Sequence, residues 1–269
     1  MLFPLTIAMF MRLLICLFLL LAALPARATD YTDIWYLPAE SGWGANVVQS
    51  ESFMFVTFFI YGPDKKPIWY TANLTLDSSK NYNGQLYATT GSYYGSTWVT
   101  GDLTQTAVGT ASFQPTSPYT ANLIYTVTTP ASLAATVTKA IQRQSLTQIT
   151  VGGTYVGAQS GAYTGGNCNL VQSYSDYYSL AVTQSTSRVV SLIFSYNSGM
   201  TCTLSGTLTQ FGKLYTIPAA TYVCTNPSLN TTASIGELAA TNLGIEGRFT
   251  APNVGGGCAE AATFSGVLH

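Results

Sequence analysis

Beyond residue 30 the chain alternates apolar and polar side chains with a period of two. Tyr119, Ala121, Leu123, Tyr125 and Val127 share one face of such a run, against Thr120, Asn122, Thr126 and Thr128 on the other. Cys202, Leu204 and Leu208 oppose Thr201, Thr203, Ser205 and Thr207 in the same way. Successive side chains point to opposite faces of a strand, so these runs predict half-buried antiparallel strands, and no window carries a convincing helical period. Turn-forming clusters fall between the runs: Gly62-Pro63-Asp64, Asn83-Gly84, Pro115 to Pro118, Ser198-Gly199 and Gly255-Gly256-Gly257. The expected fold is all-β: two tandem antiparallel meander domains, barrel-like or sandwich, with roughly seven to nine strands in each half.

Short echoes recur along the chain in order and at nearly constant offset. Asn46-Val47-Val48-Gln49 matches Asn169-Leu170-Val171-Gln172, and Gly84-Gln85-Leu86-Tyr87 matches Gly212-Lys213-Leu214-Tyr215. Val108-Gly109 matches Ile235-Gly236, and Ala134-Ala135-Thr136 matches Ala261-Ala262-Thr263. They place a boundary around Ser145 to Thr150, between an aromatic-rich domain at 29–146 and a cysteine-containing domain at 147–269. One stretch breaks the alternation. Phe53, Phe55, Phe59 and Tyr61 lie on one face and Met54, Val56, Phe58 and Ile60 on the other, which predicts a strand covered on both sides, by its own core and by the second domain or a partner subunit. A ligand-filled barrel interior is the other reading of that strand.

The N-terminus reads as a secretory signal over residues 1–28. An apolar stretch from Leu13 to Leu24 is followed by Pro25 and the small-residue site Ala26-Arg27-Ala28, and a compact version of the signal would start at Met11. Cys16 lies within the apolar run. Losing Arg12 and Arg27 with this leader takes 10 basic side chains to 8 against 11 acidic ones, a net charge near −3, which disfavours nucleic acid as a partner. The mature chain should be secreted or periplasmic, with no transmembrane segment, because it lacks the regular lipid-facing repeat of a membrane barrel. All four remaining cysteines fall in the second half, and in an exported chain they predict disulfides, with Cys202–Cys224 and Cys168–Cys258 the preferred pairing of three. A hairpin turning near Gln210 to Gly212 would bring the first pair together.

Candidate chemistry is sparse. The single histidine is the terminal His269, which removes the commonest general base and with it the usual triads and histidine metal sites. No catalytic residue, metal or cofactor is predicted. Carboxylates at Asp30, Asp33 and Glu40, or at Glu237 and Glu246, leave a carboxylate-pair glycosidase as a remote alternative, although Glu246 and Arg248 read more simply as a local ion pair. The ligand-binding candidates are Trp35, Glu40, Trp43, Asn46, Trp69 and Tyr70. Gly42 and Gly44 flank Trp43, permitting positive φ and close approach. Two readings stay open: a tight corner with Trp43 plugging a barrel end while Glu40 or Asn46 bonds backbone amides, or an aromatic platform for sugar rings or a peptide, oriented by Glu40 and Asn46.

Residues 31–144 also resemble a repeat found in exported bacterial proteins. The likeness is carried by Trp35-Tyr36-Leu37-Pro38-Ala39-Glu40-Ser41-Gly42-Trp43-Gly44-Ala45-Asn46, Pro67-Ile68-Trp69-Tyr70, Leu86-Tyr87-Ala88-Thr89-Thr90-Gly91 and Lys139-Ala140-Ile141-Gln142-Arg143-Gln144. Tyr36 and Leu37 stand where that repeat has Trp and Asn. The resemblance implies a domain boundary and a barrel-like fold, and brings no activity with it. The combined expectation is an exported, non-catalytic binding module for a small apolar ligand, glycan or protein partner; the rival is a structural or adhesive envelope protein without a small-molecule site.

Overall fold

A computed structural model describes residues 28–165, 168, 170, 173–255 and 257–269. The expected leader, apart from Ala28, lies outside the described residues, as do Asn169, Val171 and Gln172 of the first echo. Eight strands build the first half: β1 (Asp33–Tyr36), β2 (Gly44–Ser50), β3 (Phe53–Tyr61), β4 (Pro67–Leu76), β5 (Tyr82–Thr90), β6 (Thr104–Pro115), β7 (Thr120–Val127) and β8 (Ala135–Arg143). Each pairs antiparallel with the next, and β8 returns to β1 to close a barrel. In β7 the alternation is complete, with Ala121, Leu123, Tyr125 and Val127 inside.

The second half contains β9 (Gly153–Thr164), β10 (Ser173–Gln184), β11 (Val189–Tyr196), β12 (Thr201–Thr207), β13 (Thr209–Phe211), β14 (Leu214–Cys224), β15 (Thr231–Ala240), β16 (Gly244–Val254) and β17 (Cys258–Leu268). It is again a meander, closed where β17 meets β9, while β12 pairs with β14 and the short β13 extends that hairpin. The architecture is therefore two closed eight-stranded antiparallel barrels in tandem. Val108 and Ile235 of the third echo both face inward, on the sixth barrel strand of each half (β6 and β15).

Both interiors are filled with side chains, as a barrel of this size requires. In the first, Trp35, Met54, Phe58, Leu74, Leu86 and Phe113 have no solvent exposure. Trp35 meets Phe113 edge-on at 5.0 Å, and Phe58 meets Tyr125 at 5.3 Å. Each such burial stabilises the fold by about 1.5–3 kcal/mol. In the second barrel, Cys202 is bonded to its cross-strand neighbour Cys224, and Cys168 in the β9–β10 loop to Cys258 at the start of β17.

Tyr31–His269 hold together as one compact unit, through a joint centred on Arg143. That side chain is fully buried; its Nε donates to Pro118 O at 2.8 Å, and its Nη1 lies 3.1 Å from Asp33 Oδ2. The same carboxylate oxygen accepts from the Lys213 amide at 3.1 Å, in the β13–β14 turn of the second barrel. Gly212 makes that approach possible: its φ is +59°, and a Cβ there would run into the Asp33 carboxylate. Phe211 packs on Tyr119 at 5.0 Å, and the linker is pinned by Gln210 Nε2 to Thr147 O at 2.7 Å. Among the described residues no helix is long and apolar enough to cross a membrane.

Candidate functional site

The six candidate residues separate into three places, and strand periodicity dictates the split. Trp35 and Tyr70 point into the first barrel, and both are buried, so neither belongs to an exposed platform. Trp69, adjacent to Tyr70, must then face outward; it is 53% exposed. Asn46 shares the outer face, opposite Thr57. Glu40 and Trp43 sit in the β1–β2 turn, at the barrel end remote from Asp33.

At that end Glu40 is tied to side chains and not to backbone amides. Its Oε2 accepts from Trp43 Nε1 at 3.0 Å, and Lys139 Nζ from β8 approaches the two carboxylate oxygens at 2.8 and 2.7 Å. The ammonium also lies 5.9 Å from the centre of the Trp43 ring. The Lys139 hydrogen bond is the main reason the Glu40 carboxyl is held below its ordinary range. Tyr70 and Tyr125 line the interior of this barrel, burial pushing both hydroxyl pKa values up. Gly42 has a φ of +111°, and its carbonyl accepts from Tyr61 Oη at 3.0 Å; a Cβ on Gly44 would press on the Trp35 carbonyl at 2.9 Å. This cluster closes the mouth of the barrel with its own charges already paired.

The outer face of β3 is a different case. Phe53, Phe55, Phe59 and Tyr61 are all exposed, and among the described residues neither the second barrel nor any other segment gives them the cover expected from the second domain. The joint, at Asp33, Tyr119 and Arg143, occupies the barrel end at which β3 begins, and leaves the outer face from Phe53 to Tyr61 exposed. Cross-strand register sets Phe59 beside Trp69 and Phe55 beside Val48, giving two aromatic clusters on one face, Phe53 with Phe55 and Phe59 with Tyr61 and Trp69, separated by the polar row of Asn46, Thr57 and Thr71. The β5–β6 loop leaves from the same end of the barrel as Tyr61 and adds Tyr93, Tyr94 and Trp98, all exposed. It is braced by Ser92, whose Oγ donates to Asp102 Oδ2 at 2.7 Å and accepts from the Val99 amide at 2.8 Å.

The second barrel holds a buried polar cluster that sequence reasoning missed. Glu260 is 4% exposed and accepts from the Tyr174 hydroxyl. Gln159 donates to Tyr174 Oη at 2.6 Å and accepts from Tyr196 Oη at 2.9 Å. Tyr163 and Tyr222 complete a cavity of about 20 Å³, which Asp176 also lines. Burial raises the Glu260 carboxyl above its ordinary value, opposed by hydrogen bonds from Tyr174 and Tyr163. The signal was present, because Cys258, Glu260, Ala262 and Phe264 occupy one face of a period-two run. Of the other carboxylates, Asp33 and Glu40 stand at opposite ends of the first barrel, and Glu237 pairs with Arg248 at 2.9 Å. Comparison with protein-family models, curated proteins and solved structures gave no match.

Proposed function

We propose that the chain is an exported, non-catalytic binding module whose first barrel engages a protein partner through the outer face of β3 and β4. The observation carrying this reading is the exposed pairing of Phe59, 57% accessible, with Trp69, flanked on the same face by Tyr61 and, beyond Thr57, by Phe55 and Phe53. Aromatic side chains of this size each offer about 150–250 Å² when fully buried. Five of them, roughly half exposed, present an area on the order of 500 Å², approaching the 800 Å² or so per partner of a standard interface. A purely structural role would have favoured burial of Trp69. Export is supported by the signal-like leader in the sequence and by two disulfides, which persist in oxidising compartments.

The Glu260 and Asp176 side chains share a cavity with room for about one water, too small to admit a sugar ring. Site-specific crosslinking tests the proposal. A benzoylphenylalanine at Phe59 or Trp69, illuminated in cells of the source organism, should give a discrete protein adduct, whereas the same residue at Thr126, on the polar outer face of β7, should not. Equal crosslinking at all three positions, or none at Phe59 and Trp69, overturns it.

A further inference from the structure

The second barrel has a groove on its outer wall that the aromatic face of the first does not involve. Its volume is about 780 Å³, and it runs diagonally from Leu243 in the β15–β16 turn to Asn197 in the β11–β12 turn. In doing so it crosses β16, β17, β9 and β10, a path on the order of 25 Å at about 4.8 Å per strand. A convex barrel wall should carry no such hollow. Gly157 and Gly266 explain it: they are direct cross-strand partners facing the interior, and a Cβ on Gly157 would collide with the Ser265 carbonyl. That carbonyl accepts from Tyr178 Oη at 2.8 Å. Lacking side chains at this point, the wall draws in on the Tyr178 ring and leaves a depression outside.

The lining selects its occupant. Tyr177, Leu243 and Val267 stand out as large exposed groups, while Ala158, Ser179 and Ser265 between them are small. Hydroxyls from Ser179, Ser195, Thr241 and Ser265, with the Asn197 amide, offer donors and acceptors along the whole path. Glu246 is the single charged side chain in the lining, so the lining itself offers phosphates, uronic acids and acidic peptides no counter-charge. A peptide is disfavoured on a second ground. The strands the groove crosses, β16, β17, β9 and β10, are each paired on both sides, so none offers a free edge for the main-chain bonds on which strand addition depends. We infer that this groove binds an uncharged oligosaccharide chain, with Tyr177 stacking on a sugar ring and the serine hydroxyls meeting its hydroxyls.

The test uses the mature chain and hexasaccharides of neutral sugars (maltose, cellulose, xylan and chitin series), with oligogalacturonate as the anionic comparison. Titration calorimetry should show millimolar or tighter binding of at least one neutral probe and none of the anionic one. Tyr177→Ala should weaken it about tenfold, Ser179→Trp should abolish it by filling the groove, and Trp69→Ser should leave it unchanged. Saturation-transfer NMR on the unmutated protein, reporting tyrosine-to-sugar contact, reads the same site without relying on a variant's folding. The inference is overturned by the failure of every neutral probe, by preference for the anionic one, or by binding that survives both groove variants. Binding lost with Trp69→Ser alone would move the sugar to the first barrel and sink this site while leaving the wall of β3 in use.

Discussion

The two barrels share a strand count and a meander, yet are held by different means. The first contains all four tryptophans and packs Trp35, Phe58 and Phe113 into an apolar interior. The second holds both disulfides and admits Glu260, Gln159 and four tyrosines to its core. One topology can thus be stabilised by aromatic burial alone or by cross-links that offset the burial of polar groups. The difference also separates their outer surfaces: aromatic on one wall of the first, a hydroxyl-lined hollow on the second.

The comparison is broken most directly at Trp35. Trp35→Ala should cost about 3–5 kcal/mol, the range for emptying a large aromatic site. Because every tryptophan lies in the first barrel, fluorescence in a denaturant titration follows that barrel, while hydrogen exchange of the β9–β17 amides follows the second. Separate shifts of the two signals would uphold the contrast; a single common transition would show that the Arg143 joint fuses them into one unit.

Disulfide removal is next. Loop-closure entropy gives about 3 kcal/mol for the 22-residue separation of Cys202–Cys224 and about 4.5 kcal/mol for the 90-residue separation of Cys168–Cys258. Serine substitution of either pair should lower the midpoint read from exchange of the β9–β17 amides and leave the tryptophan-detected one in place. Measured losses below 1 kcal/mol would mean that the second barrel relies on its core after all.

How far the sequence discloses this architecture depends on whether local period or distant register decides a position. Inward placement of Leu123, Tyr125, Cys202 and Leu204 follows from alternation. So does the opposition of Tyr70 to Trp69, although grouping both on one platform overlooked it. What covers the outer face of β3 is settled by where the second barrel docks, and docking depends on Gly212 meeting Asp33, residues far apart in the chain. The Glu260 cluster needed five strands brought together, and the groove needed two glycines paired across β9 and β17. Alternation marks Glu260 as inward-facing, but not the partners that meet it there.

A smaller effect comes from Glu260. Its folded pKa is raised, so the folded protein binds that proton more tightly than the unfolded chain does. The stabilisation is complete below the ordinary value of 4.5 and is lost as pH climbs through the higher folded value. Glu260→Gln imitates the protonated form, so thermal melts should show no change at pH 4 and a gain above about 0.5 kcal/mol at pH 8. A loss at both pH values would show that the carboxylate is the form the tyrosines require. The smallest effect belongs to the surface: Phe59→Ser with Trp69→Ser should change stability by no more than about 0.5 kcal/mol, and a larger loss would reassign these two rings to the core.

Closure of both sheets carries a consequence for solubility. A chain this rich in strands, with aromatic rings exposed on one wall, would ordinarily invite stacking into fibres, because unpaired backbone along a sheet margin recruits further copies. Here β1 meets β8, β9 meets β17 and β12 meets β14, so the rings sit on walls with no open margin beside them. Surface adhesiveness is thereby kept apart from backbone templating, and a barrel can display a sticky wall without seeding its own aggregation.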